Sequence, residues 1–514
     1  MDFKEFRGRN DLEKFAAAMD WLRAHPNSEL FIEPGTYVLT GAAEKQFFND
    51  VIAGKYGDNP QASMFRPDLQ YTRALDFYGQ EGTRVYAEGV TLLFDGFFEP
   101  ISLRHCKNIT LQGLTIDYLR KPYSKGEILS AQADEQGDGE MTVRFSDFLP
   151  DTFNSPRVAV YDNRSGVFTY YPFAVQAKKR IVGNTFRLTV SGAAKQYEGG
   201  ELYVWHFFHS RPAICIQNAE NTTLRNVTIH AHPGMGVVGH LSKDIYIDGL
   251  SVVPSAGDRM STNTDATHFA SCYGKLILQN CVFDGQGDDA VNVHTYYHSI
   301  TPLGGQQYRL QCLASEGTHT LATDAPFVGD RLQLAERGTL TVVREYTVLK
   351  CAVNEDGTCT VDLDGEIEAD PANFYVANAA ACPAFVFSHC RARNHLARAV
   401  LIKTKRAVVE HCIFEHTNLT AVVVAAEEDW KEGISSEKVT IRNNVFIHCS
   451  MQGDVASAVA VYTGSEKGTG KQHGEINIEN NTIICPPGLA GISVRNVENP
   501  IVANNTIVTE RETV

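Results

Sequence analysis

A short phrase recurs along the chain, in which an apolar strand-like run is followed by Asn or Gly and then by a second apolar run. The copies are LQGLTI at 111–116, LRNVTI at 224–229, IDGLSV at 247–252, LQNCVF at 278–283, FSHCRA at 387–392, VEHCIF at 409–414, IRNNVF at 441–446, IENNTI at 478–483 and VANNTI at 502–507. The starts of several neighbouring copies are separated by a short and nearly constant number of residues. Longer stretches separate the other copies. A base period of about 22–24 residues with occasional insertions is typical of a solenoid.

Within each phrase apolar and polar residues alternate, which is the periodicity of a β-strand. The Asn or Gly between the two runs suits a tight bend with a residue in the left-handed region. Such coils cannot bury their apolar faces alone, so they must stack. The sequence therefore predicts an all-β protein, a right-handed parallel β-helix in which Asn side chains stack along the axis. A leucine-rich repeat is the alternative, but its LxxLxL register is missing.

Two stretches interrupt the period and contain short alternating strands with turn residues, which indicates inserted antiparallel β-barrels or sandwiches. Residues 10–25 have apolar positions at helical spacing and are expected to cap the first coil, because an exposed coil edge invites aggregation. The expected organisation is a cap with the first coils at 1–125, an insertion at 126–210, coils with catalytic acids at 211–295, a second insertion at 296–384 and the last coils at 385–514.

Composition narrows the classes of function. The net charge of −15 argues against nucleic acid, whose phosphates require a basic face. No apolar run approaches the roughly 18 residues of a membrane span. Residues 1–10 carry charges and no apolar core of a signal peptide, so the expectation is a cytoplasmic protein or an exported one that has lost its leader.

Twelve cysteines invite a disulfide or metal interpretation. However, the CxxC spacing of zinc sites is absent, and several cysteines lie inside apolar runs, as Cys281, Cys390 and Cys412 do. We expect buried free thiols that pack as small hydrophobic side chains, with no bound metal and no cofactor.

Residues one period apart share an angular position on adjacent coils, about 4.8 Å apart along the axis. Asp265 precedes both Asp288 and Asp289 by one base period, so the three carboxylates should meet on one face. Arg398 stands eleven positions after the start of its phrase, the offset that Asp289 has in its own coil, and should lie near them.

Three neighbouring acids repel one another, so the pKa of at least one should rise. A protonated carboxyl beside an ionised one is what glycoside hydrolysis requires. A calcium site, or solvated acids at a turn, remains the alternative interpretation.

Other side chains near these acids are candidates for substrate binding. His294 closely follows the acid pair, and His268 and Asn263 flank Asp265. Each could instead be a packed or surface residue.

Two further groups of candidates come from later coils. His395 and Lys403 lie near Arg398, whose own alternative is a surface salt bridge. Glu427 and Trp430 fall in a lengthened coil, at the offset that Asp265 has in its own long coil, and could overhang the cleft. A Trp face stacks well on galactose; an exposed loop is the alternative.

Several phrases together resemble glycoside hydrolase family 110, the bacterial α-1,3-galactosidases. The resemblance covers most of the chain, including the N-terminal segment and both insertions. The phrases are LTIDYLRKPYSKGEI at 114–128, NTDATHF at 263–269, GDDAVNVH at 287–294 and RNHLARAVLIKT at 393–404.

This resemblance implies cleavage of terminal α-1,3-linked galactose with inversion and without a metal, on linear or blood group B-type glycans. It makes Asp288 the general acid and assigns the base to Asp265 and Asp289, without deciding which of the two dominates. An inverting pair is expected to lie roughly 6.5–9.5 Å apart. The expected partner is a galactose-containing glycan, and a homodimer is open.

Two competing functions stay open. NTD, GDD and RAVLIK also resemble the polygalacturonases of glycoside hydrolase family 28, although the separate GHG phrase is missing and uronic acids require more basic groups. A polysaccharide lyase belongs to the same class of alternatives. The non-enzymatic alternative is a carbohydrate-binding module, whose usual fibrous C-terminal segment is not evident.

Overall fold

The computed structural model describes residues 1–57, 71–133, 138–192, 194–314, 317–452 and 457–510. These residues form a parallel β-helix with two antiparallel insertions, which confirms the predicted fold class. Among the described residues no helix has the length and apolar content needed to cross a membrane.

Two α-helices lie at the N-terminal end, Asp11–Ala24 and Ala42–Ile52. The side chain of Asn10 caps the first of them by accepting a hydrogen bond from the backbone N–H of Glu13. Phe15 and Leu22 on its inner face are fully buried in the core of the β-helix, so this helix covers the first coil as predicted. Three short 3₁₀ turns complete the helical content of the described ranges, Phe3–Glu5, Lys195–Tyr197 and Pro371–Asn373.

The phrases build one long parallel sheet, called the back sheet here. Each phrase contributes a strand on either side of its bend, and successive phrases pair in register. Its strands are Glu29–Phe31, Gly35–Thr40, Arg84–Asp95, Lys107–Tyr118, Glu220–Arg225, Thr228–Ile229, Lys243–Asp248, Ser251–Val252, Tyr273–Gln279, Val282–Asp284, Ala384–Ser388, Arg391–Arg393, Arg406–Glu410, Ile413–Glu415, Lys438–Arg442, Val445–Ile447, His473–Glu479, Thr482–Cys485, Val497–Ala503 and Thr506–Thr509.

The remaining strand of each coil belongs to a second parallel sheet, the front sheet, in which strands again follow chain order. Its strands are Arg73–Asp76, Glu99–Arg104, Ile214–Gln217, Val237–His240, Thr267–Ala270, Val291–Gly304, Val400–Ile402, Val422–Glu427, Ser457–Gly464 and Ala490–Val494. The short strand Glu432–Gly433 pairs antiparallel with two of them.

The bend inside each phrase has the predicted backbone. The residue at the bend has a positive φ throughout, for example 84° at Gly113 and 55° at Asn280. The residue that follows the bend points inward. At this position Asn444, Asn481 and Asn505 form a ladder, in which Asn444 donates to Asn481 Oδ1 and Asn481 donates to Asn505 Oδ1. The predicted stacking of Asn side chains is thus observed in the last coils.

Cysteines occupy the same ladder position in earlier coils. The backbone N–H of Cys281 donates to the thiol of Cys390, and that of Cys390 donates to the thiol of Cys412. All twelve cysteines are free thiols and nine are buried, as expected of small core side chains.

The two insertions differ in shape. The first is an open seven-stranded antiparallel sheet made of Tyr123–Ala133, Gly139–Phe145, Arg157–Asp162, Val167–Tyr170, Val175–Val182, Thr185–Val190 and Glu201–Trp205. The second closes into a six-stranded barrel, in which Val291–Gly304 is continued by Gln307–Cys312, Arg331–Glu336, Val342–Val353, Cys359–Leu363 and Phe374–Asn378. Each insertion has an apolar core of its own.

Candidate active site

The candidate site is a cleft on the outer face of the front sheet. Side chains alternate along a strand, so that Phe269 packs into the core while His268 faces outward. Thr267 pairs with Val291, and Val291 pairs with Val400. Asp265, Asp289 and Arg398 each stand two positions before these paired residues. The register therefore places them side by side at one edge of the sheet.

Asp265, Asp288 and Asp289 meet in this cleft. One oxygen of each carboxyl group lies within 4.8 Å of those of the other two. This separation is shorter than the roughly 6.5–9.5 Å expected for an inverting pair. The side chain of Asp288 is 29% exposed, whereas those of Asp265 and Asp289 are 7% and 5% exposed.

Burial is the main reason why all three carboxyl groups hold protons more tightly than usual. It raises the pKa of Asp265 well above its ordinary value, and the charge of Asp289 adds to the effect. Burial and the charge of Asp265 raise the pKa of Asp288. Burial also raises the pKa of Asp289, to about 6, against the opposing effect of Arg398. The cluster can therefore present a protonated and an ionised carboxyl group together.

Arg398 is held directly on Asp289, as its offset predicted. Its backbone N–H and its Nε donate to Asp289 Oδ1 at 2.9 and 3.3 Å. Its Nη1 lies 3.8 Å from Glu427 Oε1. Arg398 thus links the acids to the next coil.

Lys403 forms the centre of a second charged group on the cleft floor. Its ammonium lies 2.6 Å from Glu427 Oε2 and also pairs with Glu432. Burial raises the pKa of Glu427, but the charges of Lys403 and Arg398 and the hydrogen bond from Lys403 together outweigh it and hold that pKa below its usual value. Tyr462 donates to Glu427 Oε1 at 2.9 Å.

Two histidines extend from Asp265 along the sheet. Nδ1 of His268 lies 2.8 Å from Asp265 Oδ2, and its Nε2 lies 2.8 Å from Nε2 of His294. Burial lowers the pKa of His268 to about 4 and that of His294 to about 3, so both rings are neutral at physiological pH. His268 lines the cleft, while His294 lies behind it, 3.6 Å from Glu432.

Asn263 and His395 do not line the cleft, in contrast to their expected role in substrate binding. The Asn263 side chain is fully buried and donates to the carbonyl groups of Pro122 and Phe207, at the two ends of the first insertion. His395 is fully buried next to the backbone of Asp288. Both lie in the turn before a front-sheet strand, where strand alternation does not set the direction of a side chain.

Trp430 and Glu427 both line the cleft, and the Trp430 side chain is half exposed. Glu432, which the sequence did not single out, lies in the same lengthened coil. Its proximity to the EEDW phrase is the one signal that could have found it.

Further residues of the cleft come from segments without a repeat signal. His209 and Met235 precede front-sheet strands, and His319 belongs to a loop of the second insertion. That loop is anchored by His240, whose ring bonds to Thr320 Oγ1 at 2.6 Å and to Asp324 Oδ2 at 2.9 Å. The insertion thus forms one side of the cleft.

Among the residues that the structure describes, two sets of side chains offer ligand atoms close enough together to hold a metal ion. They are the three aspartates and the set of His268, His294 and Glu432. In the second set the ammonium of Lys403 already supplies positive charge to Glu432. In the aspartate set, the guanidinium of Arg398 likewise supplies positive charge to Asp289.

Comparison with known proteins shows which families and relatives the chain is similar to. The model of glycosyl hydrolases family 28 matches residues 209–308, a segment that contains all three acids. Alpha-1,3-galactosidase A of Bacteroides fragilis is 24% identical to this chain, over 97% of this chain and 85% of the relative. Alpha-1,3-galactosidase B of Phocaeicola vulgatus is 27% identical, over 82% of this chain and 72% of the relative.

Among solved structures, the hyperthermoactive exopolygalacturonase of Thermotoga maritima has a TM-score of 0.41 at 10% identity, covering 98% of this chain and 91% of that chain. The sequence relatives confirm the suspected resemblance to the bacterial α-1,3-galactosidases. They also confirm the predicted class of activity, which is glycoside hydrolysis.

Proposed function

We propose that this protein releases terminal α-1,3-linked galactose from glycans, with inversion at the anomeric carbon. The observation that carries the proposal is the meeting of three carboxyl groups, all with raised pKa values, in one cleft. The choice of galactose rests on the names of the relatives that span most of the chain.

Asp288 is the general acid in this proposal. It is the most exposed of the three aspartates, and the acid must reach the glycosidic oxygen of the substrate. Its raised pKa favours the protonated form, which donates its proton as the bond breaks. Arg157 Nη1, 3.8 Å from Asp288 Oδ2, then stabilises the carboxylate that remains.

Asp265 and Asp289 hold and activate the water in this proposal. A water that bonds to two carboxylates at about 2.8 Å each spans roughly 4.6 Å between their oxygens. The oxygens of Asp265 and Asp289 lie within 4.8 Å of each other, a limit that includes this span.

Charge pairing in the cleft favours a neutral sugar over a uronic acid. Arg398 is paired with Asp289 and Glu427, and Lys403 with Glu427 and Glu432. A uronate carboxylate would therefore meet cations that acids of the protein already neutralise. The half-exposed face of Trp430 is available for stacking on the apolar face of galactose.

Proton NMR during incubation with an α-1,3-galactosyl disaccharide tests the proposal. We expect free galactose whose first-formed anomer is β, because inversion converts an α-linkage. A first-formed α anomer would overturn inversion alone. Folded protein that releases no galactose, while it cleaves polygalacturonate or only binds glycans, would overturn the proposed substrate.

A further inference from the structure

The first insertion brings a group of aromatic and cationic side chains to the outer side of Asp288. The guanidinium of Arg157 lies over the ring of Phe208 at 3.8 Å and 5.3 Å from the rings of Tyr170 and Tyr171. Its Nε donates to the hydroxyl of Tyr171 at 3.0 Å. Arg157 is not among the residues that line the cleft of the three acids.

The position of this group relative to the acid decides which part of a substrate it would meet. A general acid lies against the glycosidic oxygen, between the galactose and the sugar to which the galactose is attached. The cleft with Trp430 and Glu427 lies on one side of Asp288. Arg157 is 3.8 Å from Asp288 but does not line that cleft, so it lies beside the acid and outside the cleft. A sugar bonded to the oxygen that Asp288 protonates would therefore lie next to this group.

One donor of Arg157 faces Asp288 but is not hydrogen-bonded to it. Its Nη1 is buried and makes no hydrogen bond within the part of the chain that the structure describes. A buried donor without an acceptor is costly, and a sugar hydroxyl would satisfy it.

Tyr171 continues the path away from Asp288. Its backbone has a φ of 50°, a left-handed conformation that is uncommon for an aromatic residue. Its side chain is 49% exposed and lines a second cleft with Pro172, Phe173 and Lys178. Aromatic and charged side chains of this kind bind sugar rings by stacking and hydrogen bonding.

We propose that Arg157 and Tyr171 form a subsite for the departing sugar, so that the first insertion selects the glycan to which the galactose is attached. This inference rests on the proposed function. Arg157 and Tyr171 would then determine the specificity for the leaving group. Neither the repeat nor the position of the acids indicates this role.

The test measures the activity of the full-length protein on two substrates. One is an α-1,3-galactosyl disaccharide, and the other is α-galactosyl fluoride, whose fluoride occupies no sugar subsite. Arg157→Gln should lower kcat/KM for the disaccharide by about 10- to 100-fold, the value of a hydrogen bond to a charged group. Tyr171→Ala should lower it by about 10-fold through lost stacking. Tyr171→Ala should retain kcat/KM for the fluoride within about twofold.

Tyr78→Ala is the matched control. Tyr78 is also 49% exposed and also lies 5.3 Å from an arginine, Arg104, but it follows a front-sheet strand four positions from that of Asp265, about 19 Å along the axis. Equal losses on both substrates, or undiminished cleavage of the disaccharide by a folded Tyr171→Ala variant, would overturn the subsite. A wild-type protein that releases galactose from neither substrate would instead overturn the proposed function.

Discussion

The front and back sheets of the β-helix are built from the same coils, yet charged pairs on their outer faces lie in opposite surroundings. On the back sheet Lys438 and Glu475 pair at 2.9 Å and are 59% and 39% exposed. On the front sheet Lys403 is 1% exposed where it pairs with Glu427. Ala314, Gly317 and His319 of the second insertion line the same cleft as Lys403 and Glu427, and this charged pair is buried there. Burial rather than the repeat therefore shifts the pKa values of the acids.

The strongest test of this difference is Asp288→Asn. We expect kcat to fall by about 10³- to 10⁴-fold with little change in Tm, because the acid stabilises the transition state rather than the core. Galactose release by NMR or a coupled assay measures the loss. Asp284→Asn is the control, since Asp284 is in the same coil but on the back sheet, where it binds Arg393 at 2.7 Å. Comparable loss in both variants would refute a special role of the front face.

The buried network itself is tested by Lys403→Met. Removal of the ammonium leaves Glu427 and Glu432 buried without their cation, and a broken buried pair costs about 3–5 kcal/mol. Urea unfolding and Tm measure the change. The matched variant Lys438→Met removes an exposed pair worth about 0–1 kcal/mol. Equal losses of unfolding free energy in the two variants would contradict the proposed difference between the sheets.

The interior ladder should affect stability without affecting the reaction. Asn444→Ala leaves the backbone N–H of Cys412 and a bond to Asn481 unmade, which costs about 1–3 kcal/mol. We expect a lower Tm and unchanged kcat/KM. A loss of kcat/KM larger than about tenfold in the folded variant would show that the front face depends on the ladder.

The acid cluster should also set the pH dependence. A base that must be ionised loses activity as pH falls through its pKa, and burial raises that of Asp289 to about 6. We expect kcat/KM to fall tenfold for each pH unit below about 6, through an apparent pKa that belongs to the coupled carboxyl groups. A profile flat down to pH 4.5 would mean that the front face leaves the acids unperturbed.

Several features followed from the sequence because they are properties of the repeat. The bends at Gly113 and Asn280, the Asn ladder and the clustering of Asp265 with Asp289 all depend on positions one period apart. The repeat also located Arg398, since an insertion lengthens a coil without changing the register of the next strand.

Arg157 and His319 could not be found in this way, because the insertions that carry them have no period in common with the coils. Asn263 faced away from the cleft for a related reason. It stands two positions before Asp265, but the chain turns there, and strand alternation no longer tells which way a side chain points.

The amino-acid sequence by itself determined the coil, its period and the meeting of the three acids, since stacking strands at a fixed spacing requires only local alternation and a bend. Tertiary structure alone decided which face of the coils is covered and how strongly the acids hold their protons. Burial depends on where the insertions pack, and no spacing along the chain encodes that contact.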